Sequence, residues 1–64
     1  MTDADRLLAL WAARDRRLAL CRVPPSRQMA AMAYHGRCVE AARLGARDAA
    51  IELALDAFVR RWGL

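Results

Sequence analysis

The sequence predicts an all-α fold, either a small three-helix bundle or a helical hairpin with an additional N-terminal helix, and three observations carry that reading. No stretch alternates apolar and polar residues as a strand does. Apolar side chains recur instead at i, i+4, i+7 and i+11, most cleanly at Ile51, Leu55, Phe58 and Trp62. Two breaks divide the chain, Val23-Pro24-Pro25-Ser26 and Gly45, which gives expected helices over 3–22, 27–44 and 48–62 in one domain spanning 1–64.

The first helix begins at a capping box, Thr2 with Asp5, and its acidic first turn suits the positive end of the helix dipole. Its apolar stripe is Leu7, Trp11, Leu18 and Cys21, bordered by Leu10, and Arg14 stands in the turn missing from that stripe. Three accounts fit an arginine there. Its stem packs while the guanidinium reaches water, or it pairs with an acid at the edge of another helix, or Trp11, Arg14 and Leu18 together form a partner-binding surface. The helix ends near Arg22, because the residue before a proline is driven out of the helical region.

Ser26 caps the second helix and Gly45 supplies its terminal glycine. Gly36, inside it, weakens it by about 1 kcal/mol relative to alanine. The inward face is read as Ala31, Met32, Cys38, Val39 and Ala42 around His35, and such small residues place this helix in the middle of the packing. His35 and Cys38 lie one turn apart, and Cys21 is a third residue of ligand type. One histidine and two scattered cysteines are more often core residues than ligands, so neither a metal nor a cofactor is expected.

Asp48 caps the third helix, whose Ile51, Leu55, Phe58 and Trp62 stripe anchors the core with Ala54 and Val59 at its edges. Glu52, Asp56 and Arg60 occupy the other side, where they pair at i, i+4 spacing.

Residues 40–58 resemble two kinds of helical hairpin. Ala41, Leu44, Gly45 and Ile51 resemble the bacterial helix-turn-helix pattern, but its recognition helix would offer Asp48, Glu52 and Asp56 to phosphate, with Arg47 alone against them. Gly45, Ala50 and Ala57 are similar to the second half of a tetratricopeptide repeat, from which Arg37 and Cys38 depart, and a solenoid needs about three repeats. What both share with this chain is a tight helix-turn-helix hairpin.

A chain of 64 residues buries only about 60% of the surface its unfolded form exposes. Of its 37 hydrophobic residues 15 are Ala and two are Cys, which leaves 20 large apolar side chains. A core so thin favours a partner or self-association. All eleven basic residues are Arg, a usage read first as the codon bias of a GC-rich genome. The net charge of +4 and pI near 10.5 suit an acidic partner without choosing its kind.

Two cysteines make no disulfide framework, and Met1-Thr2-Asp3-Ala4-Asp5 is acidic where a secretion signal is basic. No run approaches the roughly 18 apolar residues of a transmembrane segment, so a cytoplasmic location is expected. No glycine-rich phosphate loop and no oriented nucleophile–base pair points to an enzyme. The function expected is a non-enzymatic protein-interaction module, an accessory subunit, regulator or inhibitor of the kind phages and mobile elements encode. It would bind a larger protein or itself through helix faces. The alternative is a small basic nucleic-acid-binding protein using Arg6, Arg16, Arg17, Arg22 and Arg27, which on a helical wheel draw no single phosphate-tracking stripe.

Overall fold

The structure, a computed structural model, describes residues 2–45 and 49–64. Three helices follow in order, α1 (Asp3–Leu20), α2 (Arg27–Arg43) and α3 (Ala49–Trp62), and no strand occurs among the described residues. The expected cap of α3, Asp48, and Arg47 beside it lie outside the described residues.

Local chemistry sets the helix ends. Thr2 Oγ1 accepts from the Asp5 backbone N–H at 3.2 Å, and Asp5 Oδ2 accepts from the Thr2 N–H at 3.1 Å, which completes the capping box. α1 stops at Leu20, two residues before the expected end. Cys21 is already extended (ψ 134) and its N–H turns back to Leu18 O, so the chain is out of the helix before Pro24 forbids it. Ser26 Oγ accepts from the Met29 N–H and opens α2. Gly45 (φ 61) and Gly63 (φ 69) take the left-handed backbone that ends a helix, where a Cβ would be strained.

The core is built on Leu7, Trp11, Ala41 and Ile51, with Ala4, Leu8, Ala54 and Leu55 packed against it. Phe58 and Ala30 are also buried, so the expected α3 stripe does anchor the core. α3 approaches α2 most closely and α1 less so. α1 and α2 meet chiefly through long polar side chains, and those account for the main departure from expectation.

The inward face of α2 is Ala30, Tyr34, Arg37 and Ala41, of which Tyr34 is half-buried and the rest buried. Of the face expected to be buried, Ala31, Met32, His35, Val39 and Ala42 are exposed and only Cys38 is half-covered. The cause is Arg37, whose residue exposure is only 6%. Its guanidinium stacks 4.0 Å from the Phe58 ring centre and 5.3 Å from that of Trp11. Nη2 and Nη1 fork onto Asp15 at 2.6 and 3.4 Å. A guanidinium packed over two rings and forked onto a carboxylate is buried as an apolar residue would be. α2 is therefore rotated to point arginine inward.

The same contact region settles Arg14. It remains at the surface with 56% of its side chain exposed, and its Nη1 lies 4.0 Å from Glu40 Oε1. Glu40 Oε2 accepts from the Trp11 indole N–H at 3.2 Å. Arg14 thus has a loose acidic neighbour on another helix, and Asp15 beside it is the residue that turns inward.

Candidate functional site

The three residues expected to form a partner surface are separated by burial. Trp11 is 2% exposed, packed in the core with Leu7, Ala41 and Ile51 and presenting almost no surface. Arg14 is accessible, and Leu18 is half-buried on the side of α1 facing the connection to α2.

That connection, residues 21–26, forms an elbow. It bends at Arg22 and Val23, Pro24 and Pro25 restrict its backbone, and Met29 in the first turn of α2 shares one recess with Leu18 in the last turn of α1. Between them lies an open groove of about 430 Å³ lined by Leu18, Cys21, Val23, Pro24, Pro25, Ser26 and Met29, mostly apolar. Of its lining residues Val23 and Met29 are exposed to 80% and 63%, and Leu20, at the end of α1, is exposed to 83%. Met32, one turn beyond Met29, and Val39 continue exposed apolar surface along α2. Between these two lies Gly36, where a Cβ would meet only open space.

Charge is as uneven as burial. Arg16, Arg17, Arg22 and Arg27 all fall within residues 16–27, all are exposed, and no Asp or Glu occurs between Asp15 and Glu40. The remaining seven arginines match the seven acidic residues, so the +4 of the whole chain is the charge of this short stretch. None of the four has an ion-pair partner among the described residues, whose ion pairs are Arg14 with Glu40 and Arg37 with Asp15. Arg6, the fifth arginine expected to meet nucleic acid, is exposed near the opposite end of α1.

The residues of ligand type do not assemble. Cys21 is exposed at the elbow, where its thiol donates to Arg17 O at 3.4 Å, and His35 is exposed on α2. Cys38 is half-buried beside Tyr34. A hydrogen bond with the Cys38 side chain, and then that neighbour's charge, hold the Tyr34 phenol above its ordinary value, with smaller contributions from burial and Asp56. Among the described residues no group of three or more His, Cys, Asp or Glu is placed to hold a metal ion.

Two features escaped the sequence reading. Arg37 and its neighbours follow the same i, i+4, i+7, i+11 spacing as the α3 stripe, Ala30, Tyr34, Arg37, Ala41, so the signal existed once an arginine is allowed inside. The concentration of net charge in residues 16–27 was equally countable. No described helix is long and apolar enough to cross a membrane. No family model, curated protein or solved structure matches the chain, so its site is read from geometry.

Proposed function

We propose that the chain is a non-enzymatic protein-interaction module, an accessory subunit, regulator or inhibitor that binds a larger protein through the α1–α2 elbow. The observation that carries this reading is that Val23 and Met29, both largely exposed, line one mostly apolar groove together with Leu18 and the two prolines. Scattered exposed apolar residues are ordinary, whereas contiguous ones beside a recess mark contact surfaces. Covering one such side chain fully is worth about 1.5–3 kcal/mol, which offsets part of the cost of association. Leu18 belongs to this surface from the half-buried side.

A pull-down with tagged chain, washed in rising salt with nuclease, tests the reading. A stoichiometric protein that survives high salt and is lost with Val23→Ser plus Met29→Ser supports it. A protein retained equally by that variant places the contact elsewhere and counts against the elbow. The second reading, nucleic-acid binding, is favoured by one observation, the unpaired +4 of residues 16–27. It requires that retained material be nuclease-sensitive and leave steeply between low and moderate salt.

A further inference from the structure

We propose that the elbow groove receives an acidic amphipathic protein segment, which sets one or two large apolar side chains against Leu18, Val23, Pro24, Pro25 and Met29 while its carboxylates meet Arg17, Arg22 and Arg27. The inference rests on the interaction-module reading and specifies the partner's chemistry.

Shape supplies the first half of the argument. The recess is concave and mostly apolar, so it fits a protruding hydrophobic side chain. A phosphodiester backbone has no such knob, and a bilayer surface has no need of a recess. Met29, unbranched and adaptable, lets the wall fit anchors of different outline. The rigid proline pair keeps the opposite wall in place without a partner.

Charge supplies the second half. Exposed arginines neighbour the lining residues along the chain, Arg17 before Leu18, Arg22 between Cys21 and Val23, and Arg27 after Ser26, and no acid occurs between residues 16 and 39, so this stretch does not neutralise its own charge. A basic segment would be repelled and a neutral one would leave that charge unmatched. A second copy docking elbow to elbow would bring two sets of four arginines together. An acidic segment alone satisfies groove and charge at once.

Fluorescence anisotropy with the full chain tests this, using labelled helical peptides that carry paired leucines one turn apart. The first flanks them with glutamates, the second with glutamines, the third with lysines, and a fourth keeps the glutamates but replaces leucine with alanine. The glutamate–leucine peptide is expected to bind about tenfold or more tighter than each of the others. It should lose a similar factor against Arg22→Glu with Arg27→Glu, and against Met29→Asp, each verified as folded by circular dichroism. Equal binding of the glutamine peptide overturns the acidic-partner assignment and leaves an interaction module standing. Equal binding of the alanine peptide overturns the groove's part in it. If no peptide binds, the inference is overturned. If a short DNA duplex or phosphatidylserine-containing vesicles then bind through the same arginines, the interaction-module reading falls with it.

Discussion

Two regions of this molecule handle arginine in opposite ways. In the core, Arg37 is packed over Trp11 and Phe58 and its fork is answered by Asp15. At the elbow, Arg16, Arg17, Arg22 and Arg27 stand in solvent without an ion-pair partner among the described residues, next to apolar side chains that are equally uncovered. The first region has matched the charge it buries; the second has matched neither charge nor hydrophobicity. A chain with few large apolar residues has built its interior partly from cation, rings and carboxylate, and left aliphatic side chains outside.

The comparison is broken most severely by Asp15→Ala, which leaves a buried guanidinium without its carboxylate. The expected loss is about 3 kcal/mol, read by urea unfolding followed by circular dichroism. Combining Asp15→Leu with Arg37→Met should restore stability to within about 1 kcal/mol of the parent, because well-packed apolar residues often replace a buried ion pair without loss. If the single variant costs nothing, the core arginine does not depend on its partner and the contrast drawn above is wrong.

Trp11→Phe keeps a ring beside Arg37 but removes the indole donor from Glu40, for an expected cost of about 1 kcal/mol plus a smaller packing loss. Arg14→Ala should change stability by no more than a few tenths of a kcal/mol, since its pair with Glu40 is long and more than half exposed. The smallest effect belongs to the elbow. Val23→Ser with Met29→Ser should leave unfolding within about 0.5 kcal/mol of the parent, because side chains so exposed bury little to lose. A large destabilisation there would mean that the apolar elbow serves the fold rather than a partner.

What could be read in advance was local. Thr2 with Asp5, Ser26 before Met29, and the glycines after α2 and α3 act within one turn, so residue type and spacing suffice to place them. The α3 stripe was legible because all of its members are apolar. The face of α2 was not, because choosing inward residues by hydrophobicity excludes Arg37, and the group that makes its burial tolerable, Asp15, lies 22 residues earlier on another helix. The candidate site suffered from the same rule in reverse. Trp11 and Leu18 looked like partners on one stripe, but the end of α1 at Leu20 turns Cys21 and Val23 outward and moves the uncovered apolar surface to the elbow.

The partition of charge has a consequence for behaviour in bulk solution. With seven arginines cancelled by seven acids, the mutual repulsion that keeps free copies apart comes from one short stretch. Any occupant bringing four negative charges to that stretch would take the assembly to electrical neutrality and remove the repulsion with it. Solubility would then depend on occupancy: the free chain should move as a cation in an electric field, while the complex should barely migrate and should crowd into clusters at low ionic strength.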